Sequence, residues 1–168
     1  MKVILYMAIS ADGFIAGRDG RTPWSEEEWR LYSAFVRSKG SIIIGRRTFD
    51  IMKDEELERI GDPFTVVLST AKSDLRRNNI QFVTTPQEAI AVLKNRGFSE
   101  TVLGGGAATN KAFSRVGLID EVILDVEQVI LGDGKRLFEE KTKSVRLELV
   151  EERKITKQLI QKHYRVVR

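Results

Sequence analysis

Three consecutive glycines, Gly104-Gly105-Gly106, stand between a short apolar run (Thr101-Val102-Leu103) and a segment of helical character from Ala107 to Phe113. A strand that ends in glycines and passes directly into a helix brings unobstructed backbone N–H groups and the positive end of a helix dipole to one point. A phosphate or pyrophosphate can rest there. A second junction, Ser41-Ile42-Ile43-Ile44-Gly45-Arg46-Arg47-Thr48, repeats the pattern and adds two guanidinium groups. Two such junctions in a chain of 168 residues point to α/β architecture and to a bound nucleotide cofactor.

The rest of the pattern fits that architecture. Lys2–Ile9, Ser41–Ile44, Phe64–Leu68, Ile80–Val83, Thr101–Leu103 and Glu121–Val129 read as strands. Helices are expected over Ser25–Ser38, from Thr48 towards Arg59, from the capping box Thr85-Pro86-Gln87-Glu88 to Arg96, and after Gly106. Val145–Ile155 and Lys157–Val167 alternate apolar with polar residues and predict a long antiparallel hairpin. The expectation is a single domain over 1–168: a mainly parallel central sheet flanked by helices, ending in an antiparallel hairpin.

Composition removes several classes of chemistry. With no cysteine and one histidine, His163, the chain cannot build a disulfide, a thiolate nucleophile, a multi-histidine metal site or a zinc deaminase centre. No metal is expected. No apolar run approaches the ~20 residues a membrane-spanning helix needs, so no membrane segment and a cytoplasmic location are expected. The net charge of +4 is spread along a mixed sequence, which favours a small anionic partner over nucleic acid.

Two carboxylates stand out. Asp125 lies in an otherwise apolar strand and needs either a structural partner or a polar cavity. Ser25-Glu26-Glu27-Glu28 has the form of a second capping box, with Trp24 and Trp29 at the positions of a hydrophobic staple. Glu28 is therefore either a cap or a carboxylate facing a substrate.

Several motifs occur in order: Ser10-Ala11-Asp12-Gly13-Phe14-Ile15-Ala16, Gly45-Arg46-Arg47-Thr48-Phe49, Leu68-Ser69-Thr70, Gly104-Gly105-Gly106, Leu118-Ile119-Asp120-Glu121 and Gly132-Asp133-Gly134-Lys135-Arg136-Leu137-Phe138. Together they resemble the dihydrofolate-reductase-like superfamily, in particular the branch containing the reductase domain of the bifunctional riboflavin-biosynthesis protein (the RibD C-terminal domain). The resemblance implies an NADPH-dependent reductase. It implies that Gly45, Arg46, Arg47 and Thr48 contact the cofactor phosphates, and that Leu68, Ser69 and Thr70 border the adenosine 2′-phosphate. Gly104, Gly105 and Gly106, with Ala107, would admit the pyrophosphate, and Ala8 and Ile15 would border the nicotinamide. The residue types suit these roles, since guanidinium and hydroxyl donors match a doubly charged phosphate.

The resemblance carries departures. Counted from Pro23-Trp24 to Gly45, the helix carboxylate of dihydrofolate reductase falls on Trp29, and Glu28 points about 100° away around the helix. The strand threonine that supports that carboxylate corresponds to Asp125, so the acid is expected to have moved from helix to strand. Asp125 or Glu28 would donate the proton. Asp12, Trp24, Trp29, Phe49 and Met52 would line the substrate side, and the loop Ser10–Pro23 would form a lid. A phosphorylated substrate would need a second anion site, for which Arg18, Arg21 and Arg30 are candidates. A homodimer is implied by the relatives. The alternatives are a dihydrofolate reductase with a rearranged acid and a non-catalytic NADPH-binding module.

Overall fold

The computed structural model describes residues 1–53, 55–71, 77–139 and 144–168. Its first strand, β1 (Lys2–Ser10), runs through the middle of the molecule. It is followed by β2 (Phe14–Ala16), α1 (Glu26–Lys39), β3 (Ser41–Gly45), α2 (Arg46–Met52), α3 (Glu55–Arg59), β4 (Phe64–Leu68) and β5 (Ile80–Val83). Then come α4 (Pro86–Asn95), β6 (Glu100–Leu103), α5 (Ala107–Arg115), β7 (Glu121–Glu127), β8 (Lys135–Arg136), β9 (Arg146–Lys154) and β10 (Leu159–Val167).

Eight strands form one sheet in the order β5-β4-β3-β6-β1-β7-β10-β9. The six from β5 to β7 are parallel, and β10 and β9 close one side as an antiparallel pair. The continuous apolar runs of β1, β3 and β4 reflect burial on both faces. Alternate residues of β1 divide between two cores. Ile4 and Tyr6 pack with Tyr32 and Val36 of α1 and with Phe49 and Met52 of α2. Val3 and Leu5 pack with Ala89 and Leu93 of α4 and with Phe113 of α5. Helices thus cover both faces, and the C-terminal ends of the parallel strands collect along one edge, where α/β sheets bind their ligands.

The structure revises three local expectations. The helix expected from Thr48 starts at Arg46, directly after Gly45, and the stretch to Arg59 forms two helices on either side of residue 54, which lies outside the described residues. Phe14–Ala16, expected inside a loop, is strand β2, which pairs with β8. The sixth strand stops at Glu127, not Val129.

Candidate active site

The two glycine junctions meet. The Gly45 N–H donates to the Gly105 carbonyl oxygen at 2.7 Å, and the Gly104 N–H donates to the Ile43 carbonyl oxygen at 2.9 Å. The starts of α2 and α5 therefore lie side by side, each with a glycine as its N-terminal cap and no side chain capping the free N–H groups. Side chains are excluded here for steric reasons. A Cβ on Gly45 would collide with Thr109 Oγ1, and Gly105 has φ +82° with Met7 atoms 3.0 Å from where a Cβ would be. Glycine is thus required at Gly45 and Gly105 by the close packing of the two junctions.

Around this cradle, Arg46 is half-buried. Its Nε donates to both carboxylate oxygens of Asp50, at 2.9 and 3.1 Å, and its guanidinium lies 5.6 Å from the Phe82 ring centroid. Arg47 and Thr70 are exposed, while Thr48, Leu68 and Ser69 are half-buried at the same edge. The Ser69 hydroxyl is occupied locally, donating to the Ala71 carbonyl and accepting from the Ala71 N–H. Ala107 opens α5. Ala8 and Ile15 are both buried, and Ala8 pairs with Asp125 across β1 and β7.

One face of the sheet holds the carboxylates. The Ser25 hydroxyl caps α1 by accepting from the Glu28 N–H at 3.2 Å. The return bond of a capping box is not made: the Ser25 N–H donates to Glu127 Oε1 at 2.9 Å, and its hydroxyl donates to the same oxygen at 2.5 Å. A carboxylate from β7 has taken over the work expected of Glu28. Released from the cap, the Glu28 side chain is 3% exposed and makes no hydrogen bond to the described residues. Of Glu28 and Trp29, Glu28 is thus the buried residue, and Trp29 is half-buried.

Asp125 is 0% exposed and fully partnered. Its Oδ2 accepts from the Tyr6 hydroxyl at 2.7 Å and its Oδ1 from Gln161 Nε2 at 2.9 Å. Gln161 Nε2 also donates to the Tyr6 hydroxyl oxygen at 2.9 Å. Burial, then Asp125 and then Glu127 push the Glu28 carboxyl up to about 8. Burial also raises Asp125, while the Tyr6 and Gln161 hydrogen bonds and the Arg153 charge pull it back. Burial first, then the adjacent carboxylates, raise the Tyr6 hydroxyl, keeping it a neutral donor. Two neighbouring carboxyls cannot both ionise cheaply. Donors offset part of the burial cost at Asp125, while Glu28 has none and its surroundings favour its protonated form.

This arrangement has a stability signature. Raising Glu28 from 4.5 to about 8 means the folded state binds the extra proton between those values, so stability falls as pH rises through that window and is fullest below it. Chemical denaturation at several pH values is expected to show Glu28→Gln losing less stability than the native protein between about pH 5 and about pH 8.

Asp12, Trp29, Phe49 and Met52, also expected at the site, each have partners of their own. The Asp12 carboxylate accepts from the Ser10 hydroxyl at 2.7 Å and from the Leu131 and Gly132 N–H groups at 3.1 and 2.8 Å, so it clamps two loops together. With the β2–β8 pairing, this anchors the first half of the expected lid. The Ser10 hydroxyl, followed by the two backbone donors, lowers the Asp12 pKa. The clamp therefore holds above the ordinary aspartate range and releases as pH falls below it. Asp12→Ala is expected to speed hydrogen exchange at the Leu131 and Gly132 amides near neutral pH. Phe49 and Met52 are core residues, Phe49 set edge-on to Phe82. Trp29 turns to a groove on the outer side of α1, under the Arg59 guanidinium, and Trp24 is half-buried. Of the candidates for a second anion site, Arg18 pairs with Asp133, Arg21 with Asp19 and Arg30 with Glu27, all at the surface. The sequence reading missed Tyr6, Glu127 and Gln161. Only Gln161 and Glu127 had a signal, as polar residues on the inward phase of their strands.

A parallel sheet of this order, closed by an antiparallel pair and carrying a glycine cradle at its C-terminal edge, defines a dihydrofolate-reductase-like α/β fold. The chain belongs to the RibD C-terminal domain family, whose profile matches residues 1–161. It is 32% identical over 172 residues to the uncharacterized protein YwjB of Bacillus subtilis (strain 168), covering 97% of each chain. Among solved structures, RibD of Acinetobacter baumannii superposes with a TM-score of 0.78 at 19% identity, over 99% of this chain and 58% of that one. The dihydrofolate reductase of Enterococcus faecalis, complexed with NADP(H), gives 0.73 at 20% identity, over 99% and 97%. At these identities the two structures speak for the fold. No helix among the described residues is long and apolar enough to cross a membrane.

Proposed function

We propose that this protein is an NADPH-dependent reductase of the RibD C-terminal type, acting on a C=N or C=O bond of a small heterocyclic or sugar-like substrate. The observation that carries the reading is the pair of carboxyls on β7 and α1, one partnered and one not, on the sheet whose C-terminal edge holds the glycine cradle. NADPH, when bound, supplies the hydride. Gly105, Gly106 and the first N–H groups of α2 and α5 would give its phosphates backbone donors. Gly45 and Gly104, whose own N–H groups are bonded within the junction, would let the backbone approach, and Arg46, Arg47, Ser69 and Thr70 would favour the 2′-phosphate. Glu28 gives its proton to the nitrogen or oxygen of the reduced bond and regains one from solvent. Asp125 remains ionised and stabilises positive charge developing on the ring. The product is the amine or alcohol, with NADP⁺ released.

Loss of NADPH absorbance across a panel of pterins, pyrimidines and carbonyl compounds tests this. Turnover with at least one class supports it. NADPH that binds and is never oxidised would make the protein a binding module. One observation favours pterin reduction as a second reading: Glu28 is a buried carboxyl in the first turn of α1, in the region where the dihydrofolate reductase acid is expected. Turnover of dihydrofolate, lost in Glu28→Gln, would select it.

We further propose that two copies pair through β9, whose nine residues are all exposed and include Leu147, Leu149 and Val150. Sedimentation is expected to show a dimer in the native protein and a monomer in Leu149→Lys.

A further inference from the structure

The amide of Gln161 has two unlike ends, and only one orientation suits its neighbours. Its NH₂ end faces the acceptors, donating to Asp125 Oδ1 and to the Tyr6 hydroxyl oxygen, both at 2.9 Å. Its carbonyl end accepts from Arg153 Nη2 on the neighbouring strand β9. Rotated by half a turn, the amide would set its carbonyl oxygen against the Asp125 carboxylate and its NH₂ against a guanidinium. Both contacts would be repulsive, at a site where Gln161 is 7% exposed and Asp125 is 0% exposed. Arg153 itself reaches the surface, 54% exposed, with Glu151 3.5 Å from its Nε. A chain of hydrogen bonds thus runs from the outermost strand of the sheet to the buried carboxyl pair.

We infer that Arg153 and Gln161 are positioning residues: Arg153 fixes the orientation of the Gln161 amide, and the amide holds Asp125 ionised, leaving the active-site proton on Glu28. The inference rests on the carboxyl-pair reading above and deepens it. Neither residue is bonded to the nucleotide cradle, and their effect passes through Asp125 and the Tyr6 hydroxyl bonded to it. The groups facing the pair come from four packed elements. Tyr6 lies on β1, Tyr32 beside Glu28 on α1, and Glu127 beside Asp125 on β7, while Gln161 lies on β10. Arg153 is the cation that acts on Asp125. It and Gln161 also line a cavity of 220 Å³ with Glu121, Glu151 and His163, so solvent meets the chain at its outer end. Lys2 and Lys39 line the same cavity but are paired with Glu121 and Glu100, which leaves Arg153 as the cation bonded towards Asp125. Its removal takes away that charge and frees the amide to turn.

The test needs no substrate. The full-length protein is labelled with ¹³C at the Asp and Glu carboxyl carbons, and the Asp125 and Glu28 signals are assigned through Asp125→Asn and Glu28→Gln. Both are then titrated by NMR. In the native protein Glu28 is expected to titrate near 8, and Asp125 above the ordinary aspartate range because of its burial. In Arg153→Ala the Asp125 ionisation constant is expected to weaken about tenfold, moving its midpoint up by about one pH unit. Arg153→Lys, which keeps a cationic donor, is expected to recover most of that shift. Gln161→Met, which keeps volume and removes the amide, is expected to shift Asp125 in the same direction. Asp12, which shares no hydrogen bond with Arg153, Gln161 or Asp125, serves as the internal control and should not move. A merely structural role would lower the melting temperature and leave the midpoints in place. An Asp125 midpoint in Arg153→Ala equal to the native one overturns the inference. A native Glu28 that titrates in the ordinary carboxylate range overturns the proton assignment itself, whatever Arg153 does.

Discussion

Glu28→Gln is expected to lower NADPH-dependent turnover at neutral pH by about 10²- to 10⁴-fold, the range over which positioned general acids act. The glutamine keeps the size of the side chain and cannot give up a proton. NADPH affinity is expected to be unchanged, because Glu28 lies on the face shared with Tyr6 and Asp125 and contributes nothing to the glycine cradle. Steady-state rates with any substrate found in the panel measure this. The native rate should also fall as pH rises past about 8, where Glu28 loses its proton. That limb should be missing in the variant. A glutamine variant with native turnover would transfer the acid role to Asp125 or to water. The same substitution is expected to flatten the loss of stability with rising pH, so one residue would trade activity against alkaline stability, as strained functional sites commonly do.

The second large effect concerns cofactor choice. Each charge-assisted bond to the 2′-phosphate contributes about 1.5–3 kcal/mol. Arg46→Ala and Arg47→Ala are therefore each expected to weaken NADPH binding by about tenfold or more, and NADH binding little. The larger loss is expected at Arg46. Its guanidinium is already held by Asp50 and by the Phe82 ring, so less side-chain freedom is lost when a phosphate arrives. Arg47 is exposed and must be ordered by the ligand. Fluorescence titration of both cofactors against the three proteins gives the ratio. Parallel losses for NADPH and NADH would place the arginines on the shared pyrophosphate instead.

The reach of the sequence can be judged from particular residues. The sheet was legible because strands buried on both faces write continuous apolar runs, as in Ile42-Ile43-Ile44 and Val66-Val67, and because each run ends in a glycine or a polar turn. The cradle was legible because glycine has few other reasons to repeat three times between a strand and a helix. Asp125 was legible as a charge inside an apolar strand. Strand β2 was hidden because its partner has two residues and lies more than a hundred positions away. The role of Glu28 was hidden for a sharper reason. Its capping-box motif is genuine, and the Ser25 half of it forms. A residue 102 positions away, Glu127, supplies the other half, and no local pattern encodes that exchange. The loop bonds of Asp12 were hidden for the same reason, since Leu131 and Gly132 lie far along the chain. Arg18 and Arg21 of the same segment each pair with a carboxylate at the surface, which only the folded arrangement reveals.

The central claim is that the joined starts of α2 and α5 hold the phosphates of NADPH. Backbone amide NMR during titration with NADPH tests it most directly. The N–H signals of Gly45, Arg46, Gly105 and Gly106 are predicted to shift and saturate together, while amides of the C-terminal hairpin stay still. Saturable NADPH binding that leaves those four amides unmoved would contradict the account.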